Sequence, residues 1–455
     1  MNNFLSKNIL KKMFYFFKNI YYINIRQQKN NYFSIQIPFI HYCISLLILG
    51  LTLCGNLYYK YTIFIDLKQG RSFEATIINH YPKSKVSERF KFQDSNSNVF
   101  YGTYRGKFKN IIGKKAQVYG KIYHCSFLQF LKSCNIYNST FSLLPIDNVK
   151  RTATNFIMQQ HEYFYAANLY NALFFSQQLA KPVRDTSVAL GLAHLIAISG
   201  FHLAALMIIF YALISPIYFF FHRFFCYRNA IFDLGFLGLL FAFFYLALID
   251  FEPSFLRAFI MACVAYFIVF SGLKIFSFMN LFLCVFLACA NNPSLIFHIG
   301  FLLSVSGVFY IFLFVQHIEP YLRLQGIIKR ICIGILLFNC IIFLQMMPIV
   351  HYVFPYFSPY QLISIPLSIA FFLLFPCLIF LHIIGQGSLF DSLILLVVEH
   401  KFLLSEVYTP LWLLLIYIFL TLLSIRYKTI YYMTIILSLL FYFWNLKIFF
   451  YYLFE

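Results

Sequence analysis

Nine long apolar runs follow one another between residues 189 and 453, and they leave the backbone little choice. They fall at 189–220, 230–249, 254–271, 274–290, 294–316, 328–347, 358–384, 408–425 and 429–453, and a further one at 37–58 precedes them. In hydrocarbon each backbone N–H and C=O must be bonded within the chain, so apolar runs of about 20 residues read as bilayer-spanning helices. The expected fold is a polytopic α-helical membrane protein with about ten transmembrane spans. Composition agrees: 61% of residues are hydrophobic and 11% charged, against about 45–50% and about 25% in soluble domains. Soluble enzymes and soluble binding modules are thereby excluded.

The loops give an orientation. Residues 1–36 carry Lys7, Lys11, Lys12, Lys18, Arg26 and Lys29, no acid, and no small-residue cleavage site. They read as a basic cytoplasmic or interfacial N-terminus rather than a removable signal peptide. Counting onward, His222, Arg223, Arg228, Lys274, Arg323, Lys329 and Arg330 fall inside, and Asp250, Glu252 and Asn291–Pro293 outside. The count fails after residue 384, where Arg426 and Lys428 land outside. Either 340–384 holds an extra re-entrant turn, or 388–406 crosses despite Asp391, Glu399 and Lys401. Prolines 348, 355, 359, 366 and 376 favour the first.

Residues 60–151 differ in kind. Short apolar runs punctuated by glycines read as strands around Phe73–Ile78, Val99–Tyr104 and Ala116–Ile122, enough for a small five-stranded OB-like barrel. This extracytoplasmic segment holds sixteen Lys/Arg against five Asp/Glu. Aromatics interleave with the cations. Arg71, Arg89, Lys91, Tyr101, Tyr104, Arg105, Lys107, Lys109, Lys114 and Lys115 are candidate contacts to a single strand, since cations neutralise phosphates and exposed rings stack bases. The alternative is a solvated basic barrel with an aromatic core, because half of any barrel's side chains point inward. Cys125 and Cys134 lie where oxidation is possible and are expected to form a disulfide. Residues 156–184 read as one amphipathic surface helix, Phe156 to Leu179, that ends at Lys181-Pro182.

The most polar point of the apolar region is His194-Leu-Ile-Ala-Ile-Ser-Gly-Phe-His202. Ionisable groups inside a membrane span are expensive and usually face a partner or a wet cavity. Gly200 allows a close approach or a helix break. A metal site would need more ligands, and a catalytic triad would need a carboxylate, so neither a cofactor nor a metal is expected. Two further readings stay open: histidines bonded to backbone in a packed bundle, and a polar lining for a conduit.

This nine-residue stretch resembles the hallmark of the ComEC competence-protein family, inner-membrane proteins that carry single-stranded DNA into bacteria. Asp250 to Arg257 is similar to a further family segment through Pro253, Arg257 and Ala258. Asn292-Pro293, Gly300, Phe301 and Ser304 match a third feature, with Leu302 where the family has Gln. Gln345 to Pro348, Ser358 and Pro366 match a fourth, with Gln361 in place of Asn and the Gln-to-Pro spacing one residue short. The resemblance covers 185–384, a competence-type transmembrane core, well; an amphipathic segment and C-terminal spans follow at 385–455. It implies a channel lined or gated by His194, Ser199, Gly200, His202, Arg257, Ser304 and Gln345, with helix breaks at Pro253, Pro293, Pro348 and Pro366. It implies single-stranded DNA and the lipid bilayer as partners, with a periplasmic DNA receptor and a cytoplasmic motor or single-strand-binding protein, and it admits a homo-oligomer.

No His-x-His-x-Asp-His motif is present, so the form expected lacks the metallo-β-lactamase-like domain and is not an enzyme. No G-x-x-x-x-G-K-[ST] motif is present either, which excludes ATP hydrolysis through a Walker site. Two rival readings remain: an ion-coupled transporter of a small solute or lipid-linked precursor, and an intramembrane enzyme with His194 or His202 as general base.

Overall fold

The computed structural model describes residues 39–84, 87–94, 98–106, 111, 114–144, 148–224, 227–270, 278–322 and 326–454. The basic N-terminus 1–36 and the candidate DNA contacts Lys107 and Lys109 lie outside the described residues. The chain forms two compact units, one of residues 1–52 and 200–288, the other of 53–199 and 289–455.

Helix α1 spans Phe39–Gln69. Its 31 residues measure about 46 Å at 1.5 Å per residue, well beyond a hydrocarbon core of about 30 Å. The β-rich region therefore starts at Arg71 and not near residue 60. Nothing between Tyr58 and Lys68 breaks a helix. Gly70 does, with φ of 105° and its N–H bonded to the Asp66 carbonyl.

The barrel follows: β1 (Arg71–Ser84), β2 (Ser87–Asp94), β3 (Val99–Arg105), β4 (Lys115–Ile122), helix α2 (Phe127–Lys132) and β5 (Cys134–Leu143). The strands close in the order β1-β2-β3-β5-β4. The β3–β5 pair is parallel and the others are antiparallel. The period of two sorts the side chains. Phe90, Phe92, Phe100, Ala116 and Val118 fill the interior, and Phe64 and Leu67 of α1 close one end of the same core. Tyr104 belongs to this interior, packed edge-on against Phe90 and Phe141, so it is a core residue and not an exposed stacking ring. Cys125 and Cys134 are disulfide-bonded with Cα atoms 6.2 Å apart. They bracket α2, whose first turn is held by a reciprocal Ser126–Gln129 cap.

The single amphipathic helix expected over 156–184 is three helices: α3 (Asn148–Met158), α4 (Phe164–Phe175) and α5 (Lys181–Ala189). Ser176 turns left-handed at the end of α4. Lys181-Pro182 opens α5 instead of closing a helix, because proline's missing N–H costs nothing in a first turn. Helix α4 is buried through Ala166, Ala167, Tyr170 and Leu173 and is no surface helix. A short α6 (Ala193–Ile196) precedes α7 (Gly200–His222), α8 (Ala230–Leu248), α9 (Pro253–Phe270) and α10 (Phe278–Asn291). Left-handed Asp250 and Phe251, with φ of 56° and 54°, turn the chain from α8 into α9.

The remainder of the second unit comprises a 3-10 turn at Pro293–Phe297, α11 (Ile299–His317), α12 (Glu319–Leu322), α13 (Ile327–Val353), β6 (Tyr356–Phe357), α14 (Ser364–Ile383), α15 (Asp391–Glu399), β7 (Ser405–Glu406), α16 (Leu411–Leu423) and α17 (Lys428–Phe454). Among the described residues six helices are long and apolar enough to cross a membrane, and three shorter apolar helices accompany them. Pro348 lies inside the unbroken α13, and Pro366 sits in the first turn of α14. Neither breaks a helix, whereas Pro253 and Pro293 each open one.

Pairing after residue 384 repairs the topology. Strand β7 pairs with β6, Val407 N–H bonds the Pro355 carbonyl, and Thr409 N–H the His351 carbonyl. Residues 384–404 thus return the length of α14, about 30 Å, although α15 has only 9 residues. Residues 340–384 add no re-entrant element: Pro355 and Pro359 lie in the simple turn between α13 and α14. The next turn meets the far end of α11, where Gln316 donates to the Ile425 carbonyl and the Lys428 ammonium lies 4.1 Å over the Tyr321 ring. Arg426 and Lys428 therefore share an end with Arg330, which pairs with Glu319 at 2.9 Å. That grouping is what the positive-inside rule requires.

Candidate functional site

The His194–His202 stretch is broken as the glycine suggested. Helix α6 stops at Ile196, Ala197 is extended, and helix resumes at Gly200. The two units divide it: His194 and Ser199 belong to one, Gly200 and His202 to the other.

On the first side, Gly191 takes φ of 67°, and a Cβ there would stand 3.2 Å from both the Cβ and the carbonyl oxygen of Gln361. Gln361 donates to the Tyr356 carbonyl at 2.9 Å and to Val188 at 3.3 Å. The residue that departs from the family pattern thus fastens the turn before the motif. His194 Nε2 lies 3.4 Å from Ser368 Oγ. Ser368 donates its own proton to the Ser364 carbonyl. Ser199 is half-buried in the extended link.

On the other side, two segments read separately from the sequence meet. A Cβ at Gly200 would stand 3.3 Å from Ala258 Cβ and 3.9 Å from an Arg257 guanidinium nitrogen. The start of α7 thus lies against the start of α9, and the family-like Gly200 and Arg257-Ala258 are one structural feature. His202 is wholly buried and Arg257 is 7% exposed. A buried guanidinium beside the positive ends of two helices favours an anion.

Gln345 occupies a different polar cluster. It is wholly buried. Its side-chain nitrogen donates to Thr434 Oγ1 at 3.4 Å, and its carbonyl accepts from Tyr417 at 2.9 Å. Ser438 extends the seam, with Oγ 2.8 Å from the Tyr417 hydroxyl. Gln345 Oε1, His351 Nε2, Thr409 Oγ1, the Tyr431 hydroxyl and both Asn445 amide atoms are buried without a hydrogen-bond partner among the described residues. Buried polar atoms of this kind are satisfied by water or a polar solute. Ser304 is half-buried on α11. Leu302, where the family pattern has Gln, is 49% exposed and so faces away from the packing.

The barrel's basic residues also sort into two sets. Lys60 on α1 is buried and bonds Asn98 Oδ1 at 3.0 Å and Ser294 Oγ at 2.6 Å, while Ser294 itself donates to Asn98 at 2.8 Å. Burial lowers the Lys60 ammonium to about 8, with Asp94 partly opposing the shift. The Asn292–Ser294 turn is therefore a mooring for the barrel. It also places the barrel at the Asn291–Pro293 turn, which was expected outside. Lys91 is half-buried, which lowers its pKa, and its charge acts on His298 of the same mooring. It is in register with Tyr101 across β2 and β3.

The outward set runs across β2, β3, β5 and β4. The Arg89 guanidinium lies 4.6 Å from the Tyr101 ring centre and bonds Asn135 at 2.7 Å. Lys121 is in register with Tyr137 and Tyr119 with Thr140. Tyr119, Tyr123 and Tyr137 are 44–47% exposed, and the last two meet edge-to-face at 5.9 Å. Beside them an open cavity of about 280 Å³ is lined by Tyr123, His124, Gln129, Lys132, Asn135 and Tyr137 around the disulfide. Arg105 is exposed, and Lys114 and Lys115 are half-exposed. Arg71 is exposed and paired with Asp66 at 2.8 Å. The sequence reading missed Lys132, Asn135 and Tyr137. Alternation along Cys134–Leu143 was the available signal, but a strand there was not recognised.

Comparison with known proteins places the chain in a family. A family model described as Competence protein matches residues 175–455. No curated protein and no solved structure matches the chain.

Proposed function

The chain belongs to the ComEC competence-protein family, and from that premise we propose that it conducts single-stranded DNA across the bacterial inner membrane during natural transformation. The observation that supports this most is the sorting of the barrel. Its rings that cannot bind fill the core. Arg89, Lys121 and Lys132 stand outside with Tyr101, Tyr119, Tyr123 and Tyr137. That pattern suits a strand whose phosphates meet cations and whose bases stack on exposed rings.

The strand then passes to the membrane core. Within one unit Arg257 stands beside Gly200, and within the other the Gln345 seam holds polar atoms without a partner among the described residues. The role assigned is a conduit, with no chemistry on the strand. Since the sequence holds no Walker site, the pull comes from a cytoplasmic motor, from strand capture by a single-strand-binding protein or from an ion gradient, and a periplasmic receptor delivers the strand.

The test has two arms. A photo-crosslinking residue at 119 or 137 should capture labelled single strands during uptake, and one at 90 should not. Gly200→Leu and His194→Leu should abolish entry into the cytoplasm while leaving capture outside intact. Normal transformation by both variants would refute the channel assignment. A deletion strain that transforms normally but has altered envelope lipids would point to a transporter instead.

A further inference from the structure

Away from the motif, three side chains far apart in sequence meet in the second unit. His161 follows α3, His382 ends α14 and Asp391 opens α15. His161 Nδ1 lies 2.8 Å from Asp391 Oδ1, and its Nε2 lies 3.1 Å from His382 Nε2. His382 Nδ1 lies 2.7 Å from the Leu378 carbonyl oxygen. The His161 side chain is 0% and that of Asp391 6% exposed. Tyr170 stacks on His161 at 4.8 Å and meets His382 edge-on at 4.5 Å.

The hydrogen bonds fix the protons. A carbonyl oxygen only accepts, so His382 Nδ1 carries a proton. A carboxylate only accepts, so His161 Nδ1 carries another. Two neutral rings would then aim lone pairs at each other across 3.1 Å, which is repulsive. One more proton between the facing Nε2 atoms turns that contact into a charge-assisted hydrogen bond. Its positive charge is balanced by Asp391. If the His161 Nδ1 proton moves onto the Asp391 carboxylate, which then donates back to Nδ1, the total is unchanged.

We propose that Asp391, His161 and His382 form a buried proton-binding site whose extra proton latches the connector to the C-terminal helices. The parts it joins are specific. Gln160, next to His161, donates to the His382 carbonyl at 3.0 Å and accepts from the Gly387 N–H at 3.1 Å. The latch thus ties the turn between α3 and α4 to the start of the 384–404 return. Tyr170 is the further titratable side chain against the cluster. Helix α5, which packs on α15, holds Lys181, Arg184 and Asp185 exposed. A metal ion suits the geometry less well, because only two nitrogens face the shared point and a structural zinc takes four ligands.

The sign follows from linkage. The latched state binds a proton that the open state releases, so raising the pH opens it. Full-length protein in lipid nanodiscs is followed by amide hydrogen exchange, corrected for intrinsic rates, from about pH 6 to about pH 9. The Gly387 N–H is the reporter. Its protection should fall on the order of tenfold across that range in wild type and stay level in His382→Gln and in Asp391→Asn. A level profile in wild type overturns the proposal, as does an equal fall in both variants. So does a stoichiometric transition metal whose removal by a chelator causes the same loss of protection. If one variant does not fold, the wild-type profile and the other variant decide.

Discussion

The barrel and the C-terminal helices α11, α13, α16 and α17 obey one rule with opposite results. In the barrel, Phe90, Phe92, Phe100 and Val118 are wholly buried and the cations stand outside. In the helices, Gln345, Thr434, Ser438 and Asn445 are wholly buried and Trp412, Phe419, Leu440 and Trp444 face outward, each more than half exposed. Water drives the first arrangement through the hydrophobic effect. Lipid supplies no such drive between helices, so packing and interhelical hydrogen bonds hold the second. The lesson concerns the polar groups. A buried polar side chain is an anomaly in the barrel and a joint in the helices, and only the surplus beyond the joints, such as the Asn445 amide atoms without a partner among the described residues, calls for water or a polar solute.

Substitutions can break or sharpen this contrast. The largest effect is expected from Phe100→Ala, which empties the barrel core and costs about 3–5 kcal/mol. Limited proteolysis of the full chain should then cut within 71–143 while α13 to α17 stay protected. Reducing the disulfide, or Cys125→Ser, removes a short covalent loop worth about 2–3 kcal/mol. It should lower the barrel's thermal midpoint and leave the helices unmoved. Equal loss in both regions would mean that they do not unfold separately.

The mooring between the two regions should respond to pH. The folded Lys60 binds its proton more weakly than the unfolded chain, with a pKa of about 8 against an ordinary 10.5. Folded stability therefore gains as pH rises from about 8 towards 10.5, by at most about 1.4 kcal/mol per pH unit, and the gain is absent below that window. Lys60→Met should abolish this slope in thermal melts, and an unchanged slope would place its origin elsewhere. The smallest effect belongs to Tyr417→Phe. It deletes bonds to the Gln345 carbonyl and Ser438 and should cost about 0.6–1.7 kcal/mol, the usual worth of an interhelical hydrogen bond in a membrane. A cost as large as that of Phe100→Ala would contradict the contrast.

Much of the molecule was legible beforehand. Apolar runs announced the helices, alternation announced β1, β3 and β4, and Gly200 announced the break before α7. The misreadings share one cause. Tyr104 was taken for an exposed ring because composition cannot say which way a strand's alternate residues face. The Lys60 mooring was not foreseen because nothing local shows that the Asn292–Ser294 turn comes to meet the barrel. The 156–184 connector was read as one surface helix because its periodicity gave no hint that α4 would be enclosed. His161 and His382 drew no notice and Asp391 counted only as a charge against a crossing, since 230 residues separate the first from the last.

The sequence by itself determined that the chain is a basic, many-spanning helical membrane protein with a small β-rich domain and a ComEC-like core. Those properties follow from local pattern: apolar run length, strand alternation, turn residues and short motifs. Only the tertiary structure decided that β7 returns to β6 and so carries Arg426 and Lys428 to the basic end. It alone decided that Gly200 lies against Arg257 and Ala258, and that two imidazoles face each other before a carboxylate. Such contacts join residues tens to hundreds apart, and their free energy depends on burial and hydrogen-bond geometry that no short window of sequence contains.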